Sequence, residues 1–392
     1  MKLQKTENKP GVVIIEGHIQ GLSNARSLGE YDIPVYVVDK SNCIARYSKF
    51  CRKFFYCPDY IKDEFADFLI DLAESEELSG WSLLPSNDHA VITISKNKKR
   101  LEEYYKVITP DKDIIKNIYD KALLLKIAQS SGLQIPETIY FETSDDPFPG
   151  NLNFPVVTKG REGLSFYKKA GRKAFYARNE TELRSQLKSL SFITELNKTF
   201  TQEVIPFDAN NKTVSFTAFS VNGEIKTYWM GIKLREHPIQ FGTATFAESI
   251  YEEQCLKLSK ILLSALNFTG VCEVEYLRDP RDNKYKLIEI NARTWLWVGL
   301  AKECGIDYAK IIYDYLNRET VRFPENYNTR IKWRNTVLDS IFAVRALISG
   351  NCNLKDYFCS LKGQVVHSVF AKDDFLPSIM YLLLLPYFFF RR

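Results

Sequence analysis

Two stretches near residue 280 each set a carboxylate inside an apolar strand: Val274-Glu275-Tyr276 and Leu287-Ile288-Glu289-Ile290-Asn291. A buried carboxylate without a cation or donors is costly, so a fold that uses these strands must supply both. The turn-rich segment Arg278–Lys284 between them predicts adjacent antiparallel strands, Val271–Leu277 and Tyr285–Asn291. On such a pair Glu275 and Glu289 share a face, and Asn291, two residues on, shares it too. Two carboxylates and an amide oxygen are hard ligands suited to Mg²⁺, with Mn²⁺ as an alternative, bridging the phosphates of ATP. Glu273 lies on the Glu275 face, which leaves open which of the two binds metal. Arg293 continues the alternation and adds a cation for a γ-phosphate or an acyl-phosphate.

A second set of residues is cationic. Lys159 closes the strand Pro155–Lys159 and Lys173 opens the strand Lys173–Ala177, with Gly160, Gly163 and Gly171 between them. A flexible glycine loop closing over phosphates, with a lysine at either end, is the expectation. The strand Thr201–Ile205 stops at Pro206, where the backbone of Glu203, Val204 and Ile205 is placed to meet an adenine edge and Asp208 to reach ribose hydroxyls.

The front of the chain has another texture. Gly11–Ile15 is a β-branched run, a helical pattern follows through Leu22, Ala25 and Leu28, and Val35–Val38 ends at Asp39. This strand–helix–strand unit opens a doubly wound α/β domain. Its first turn, Gly17-His-Ile-Gln-Gly21, is not GxGxxG, so it gives little support for a dinucleotide site. Asn222-Gly223 between Thr213–Val221 and Glu224–Leu234 predicts a hairpin. With 392 residues the chain exceeds one core, and the expected units are 1–120, 121–320 and 321–392. None of the eight cysteines forms a CxxC pair, which argues against a zinc site and for buried thiols. The four histidines, at 18, 89, 237 and 367, form no evident nucleophilic dyad. A formal net charge of +5 is too mild to imply nucleic acid.

In this order the residues resemble the ATP-grasp superfamily over roughly Gly11 to Tyr315, most specifically in Leu287-Ile-Glu-Ile-Asn-Ala-Arg293. Lys233-Leu-Arg235, Pro238 and Gly242-Thr243 look like the D-aspartate ligase group and related polysaccharide-locus carboxylate–amine ligases. The resemblance implies a pre-ATP-grasp domain, then a two-subdomain α+β ATP-grasp fold, then a helical C-terminal extension. It implies an ATP-dependent ligase that forms an amide through an acyl-phosphate, with small carboxylate and amine substrates, lipid-linked or sugar-linked in one version. By the same resemblance Lys159 and Lys173 hold the α- and β-phosphates, Glu203 to Ile205 hold adenine, and Asp208 contacts ribose. Glu275, Glu289 and Asn291 ligate magnesium; Arg235 and Arg293 steady the transferred phosphoryl group, and Lys233 joins them around an anionic substrate. Ala292, Gly160 and Phe207 depart from the usual Pro, Pro and Gly of the pattern.

Residues 1–10 carry no apolar signal core, so a cytoplasmic protein is expected. The apolar stretch Phe375–Phe390, followed by Arg391-Arg392, is shorter than a membrane span. It reads either as an interfacial anchor at the inner face of a membrane or as a segment folded back on the protein. Two rival functions are a nucleotide-binding regulatory protein without turnover and an ATP-grasp carboxylase or carbamoyl-phosphate-type kinase; the chain has little room for the extra domains the second needs.

Overall fold

The computed structural model describes residues 9–149, 152–206, 211–237, 242–348 and 353–390. Three sheets carry the chain. The first is built from β1 (Val12–Ile15), β2 (Val35–Asp39), β3 (Cys51–Tyr56), β4 (Trp81–Pro85) and β5 (Tyr105–Val107). All neighbouring pairs are parallel, in the order β3-β2-β1-β4-β5. The fully buried Val-Val-Ile-Ile of β1 reflects its central position, covered on both faces by helices. The chain reverses direction across the sheet between β1 and β4, the place where open α/β sheets form a crevice.

The second sheet is antiparallel: β6 (Thr138–Ile139), β7 (Val156–Gly160), β8 (Ala174–Ala177) and β9 (Thr199–Glu203), ordered β6-β9-β7-β8. The expected glycine loop between β7 and β8 is instead largely a helix, Gly163–Ala170, closed by Gly171 at φ 66°. Phe166 from that helix is buried against Gly160, where a Cβ would meet the Phe166 Cβ at 2.1 Å and its ring at 2.5 Å. Local packing therefore overrides the flexibility that three glycines suggest.

The third sheet comprises β10 (Val214–Val221), β11 (Glu224–His237), β12 (Thr243–Ser249), β13 (Gly270–Arg278), β14 (Tyr285–Asn291), β15 (Lys332–Arg334) and β16 (Val365–His367). Its order is β14-β13-β10-β11-β12-β15-β16. Asn222 and Gly223, at φ 50° and 79°, make the expected hairpin between β10 and β11. The stretch 321–392 is not helical throughout: β15 and β16 extend the large sheet beyond β12.

One core joins the first and third sheets. Trp229 stacks on Trp295 at 5.9 Å and meets Trp297 edge-on at 5.3 Å, and these rings belong to the same buried cluster as Val12, Leu22 and Leu28. Polar contacts reinforce it: the buried Asn24 amide donates to Thr294 Oγ1 at 3.0 Å. The crevice beyond β1 and β4 is thereby pressed against the residues that follow β14.

Candidate active site

The register of β13 and β14 sets Glu275 directly opposite Glu289 and Glu273 directly opposite Asn291. All four side chains therefore stand on one face of the sheet. Like charges facing each other across strands are destabilising unless cations separate them. Two lysines do so. Lys233, on β11, places Nζ 2.8 Å from Glu275 Oε1, with both side chains 11% exposed. Lys121 places Nζ 2.9 Å from Glu289 Oε2. Asn291 Nδ2 donates to Glu273 Oε2 at 3.2 Å, while Glu273 Oε1 is buried without a hydrogen-bond partner.

Local chemistry positions Lys121. Asp120 caps the helix Lys121–Ser130, its Oδ1 accepting from the amides of Ala122 and Leu123. Arg161 grips the same carboxylate at 2.6 Å, and the Lys121 amide donates to the Arg161 carbonyl at 3.0 Å. The first residue of this helix is thus anchored between the second and third sheets.

The charges respond to one another. Lys121 attracts Glu289 and drives its pKa well below the ordinary carboxylate range, and Glu289 in turn raises that of Lys121. Burial lowers the pKa of Lys233, but Glu275 and Glu273 outweigh burial and hold the ammonium firmly protonated. Glu273 is shifted upward, by burial first and then by the negative charge of Glu275. Burial, assisted by repulsion from Lys121, brings Lys159 down to about 8. An anion entering among these lysines meets cations that are already desolvated.

The other sequence-predicted residues fall at distinct places. Arg293 is half-buried and forked onto Asp88, Nε to Oδ1 at 2.6 Å and Nη2 to Oδ2 at 3.1 Å. Asp88 is presented by the first turn of the helix Asp88–Lys96, which Asn87 caps. Arg235 is forked onto Asp339, donates to Ser360 Oγ at 2.7 Å, and lies 4.1 Å above the Phe246 ring. Glu203 is buried with its carboxylate taken by both terminal nitrogens of Arg281 at 2.8 Å, and the Val204 amide is used by the Pro155 carbonyl. Ile205 is buried. Asp208 lies outside the described residues.

Lys173 stands apart from this group. Ala174 is the residue paired with Lys159, so Lys173, one position earlier, turns to the other side of the pleat and is exposed. The structure brings Lys121, not Lys173, into the group with Lys159 and Glu289. Sequence reasoning missed Lys121, Asp88 and Asp339. The signal for Lys121 was present: a helix-capping Asp followed at once by Lys, at the entry to the second sheet. Nothing local marks Asp339, which meets Arg235 across 104 residues.

Among the described residues no group of three or more His, Cys, Asp or Glu side chains is gathered as a metal cage. The donor set still fits a magnesium ion carried on phosphates, because Mg²⁺ takes one or two carboxylates and completes its shell with phosphate and water oxygens. Glu275 and Glu289 would supply the carboxylates, Asn291 the amide oxygen, and Glu273 Oε1 a further hard acceptor.

No family model matches the chain. A curated D-aspartate ligase of Enterococcus faecium (strain Aus0004) is 24% identical over 252 residues, covering 60% of this chain. That match spans 59% of the ligase's own length. Among solved structures, an L-amino acid ligase from Bacillus licheniformis superposes with a TM-score of 0.60 at 16% identity, covering 79% of this chain and 75% of that one. A biotin carboxylase from Campylobacter jejuni, in a β,γ-ATP complex, gives 0.66 at 14% identity, with 82% and 74% covered. The chain has the ATP-grasp fold.

Proposed function

We propose that this protein is an ATP-dependent carboxylate–amine ligase. The observation that carries the reading is the facing pair Glu275–Glu289, with Asn291 beside it and the Nζ atoms of Lys121 and Lys233 on the two carboxylates. Glu275, Glu289 and Asn291 would hold Mg²⁺, which when bound would neutralise charge on the ATP phosphates. Lys121 and Lys159 bind the α- and β-phosphates. The β9 end, Glu203 to Ile205, borders the adenine, and Asp208 serves the ribose.

Phosphoryl transfer asks little covalent work of a protein, so catalysis rests on positioning and charge. A substrate carboxylate oxygen attacks the γ-phosphorus, the bond to ADP breaks, and an acyl-phosphate forms. The amine then attacks the acyl carbon, phosphate leaves, and the amine proton passes to solvent. Arg293 and Arg235, each anchored by a carboxylate from outside the two ligand strands, are the cations assigned to the transferred phosphoryl group and the acyl-phosphate. Lys233 completes the positive wall.

The E. faecium relative makes aspartate, in its D form, the first amine or carboxylate to try. The partner substrate in this proposal is a cell-envelope or polysaccharide precursor carrying a carboxylate, sugar-linked or lipid-linked, in the cytoplasm. The test is Mg²⁺-dependent ADP release by the purified chain across D- and L-amino acids, with and without uronic-acid acceptors. Stimulation by one pair, absent in Glu289→Ala, is expected. ADP release that persists unchanged in Glu289→Ala would overturn the assignment.

A further inference from the structure

Residues 321–392 contain ten Lys and Arg against five Asp and Glu, so they hold the chain's entire formal charge of +5 and the preceding 320 residues balance to zero. The same stretch concentrates exposed large apolar side chains. In the helix Leu376–Phe390, Pro377 and Tyr381 face inward, and the Tyr381 hydroxyl accepts from the Asn335 amide at 3.0 Å. Leu376, Ile379, Leu382 and Leu383 face outward, 45–66% exposed. Their spacing of three, four and seven residues makes one face, so this helix is apolar on the side that packs and on the side that does not. The helix Thr336–Ile348 repeats the pattern: Asp339 and Ala343 are buried, whereas Val344 and Ile348 are 54% and 82% exposed.

The exposed charge of this segment is mostly positive, with Asp356 and Asp373 exposed among the cations. Arg345, Lys355, Lys362 and Lys372 are exposed. Asp339 and Asp374 are turned inward, onto Arg235 and Arg26, and Asp373 is paired with Lys49 at 3.0 Å. No helix among the described residues is long and apolar enough to cross a membrane. Fifteen residues rise only about 22 Å, against a hydrocarbon core of about 30 Å.

We propose that the outward face of the helix Leu376–Phe390 is a docking surface for an anionic membrane. Its leucines and isoleucine enter the headgroup–acyl boundary, and the exposed lysines and arginine of the same segment meet lipid phosphates. A second copy of the chain is the poorer occupant, because a two-fold pairing would bring like-charged rims together. The inference does not depend on the ligase reading, since vesicle binding and ADP release are measured separately and each can fail alone.

The test is co-sedimentation of the full chain with vesicles of phosphatidylglycerol in phosphatidylcholine, beside vesicles of phosphatidylcholine alone. Binding about tenfold stronger to the anionic vesicles is expected, weakening as salt rises. Ile379→Glu combined with Leu383→Glu should abolish it with an unchanged thermal transition. Arg345→Glu combined with Lys372→Glu, which leaves the apolar face intact, should weaken it at least several-fold. Equal binding by wild type and both variants, or none to either vesicle, overturns the proposal. So does a dimer in light scattering that Ile379→Glu/Leu383→Glu dissociates, which would make the occupant a second copy.

Discussion

Lys121 and Lys173 separate what a residue's neighbours in sequence reveal from what its position in a sheet decides. Both are lysines near a strand or helix start, and only the pairing of Lys159 with Ala174 excludes Lys173 from the carboxylate face. The facing of Glu275 and Glu289 was legible because alternation along β13 and β14 is a local pattern, and their opposition follows once the two strands pair. Asp120-Lys121 carried a local signal, but which carboxylate Lys121 meets was not legible, because Glu289 is 168 residues away. The structure predicts that Lys121→Met lowers the rate of ADP release by about 10²–10³-fold, the scale of losing a preorganised charge at a reacting phosphate. Lys173→Met should stay within about twofold of wild type. Steady-state ADP release by the two variants checks both.

At the scale of elements, the connection between the second and third sheets is a charged knot. Arg281, in the turn between β13 and β14, holds Glu203 at the end of β9, and Lys286 reaches Asp279 at 2.6 Å. Burial pushes the Glu203 and Asp279 carboxylates up, but their hydrogen bonds to Arg281 outweigh it and hold both below their ordinary range. A carboxylate whose folded pKa is depressed stabilises the fold above its unfolded value, near 4, and loses that stabilisation as pH falls further. Thermal stability should therefore drop steeply below about pH 4. Arg281→Met, which leaves Glu203 and Asp279 to Lys286 alone, should lower stability at neutral pH and show a flatter acid limb. Thermal melts of both proteins at pH 7 and pH 3 measure it. The adenine-side strand was readable from Gln202-Glu-Val-Ile-Pro206, yet the knot was not. Nothing in the turn-rich Arg278–Lys284 says which distant carboxylate Arg281 will grip.

Across the whole molecule, the last seventy residues act as a strap. Asp339 ties them to Arg235, and Asp374 ties them to Arg26, Ser48 and the Lys49 amide of the first sheet's domain. The doubly wound opening and the β10–β11 hairpin were visible in hydrophobic runs and turn residues. The three-residue strands β15 and β16 were too short to show a period and gain their place only from the partners they meet. Asp374→Ala strands a largely buried Arg26, so the melting temperature should fall by several degrees. ADP release at 25 °C should remain within about twofold, because Asp374 touches none of the phosphate-facing residues.

The central claim is that Glu275, Glu289 and Asn291 hold magnesium on the phosphates of ATP. Calorimetric titration of the full chain with ATP, with and without Mg²⁺, tests it without knowledge of either substrate. Wild type should bind ATP at least about tenfold more tightly when Mg²⁺ is present, and Glu289→Ala should lose that gain. If Glu289→Ala kept the full magnesium dependence, the metal would have to sit elsewhere and the site would have to be reassigned.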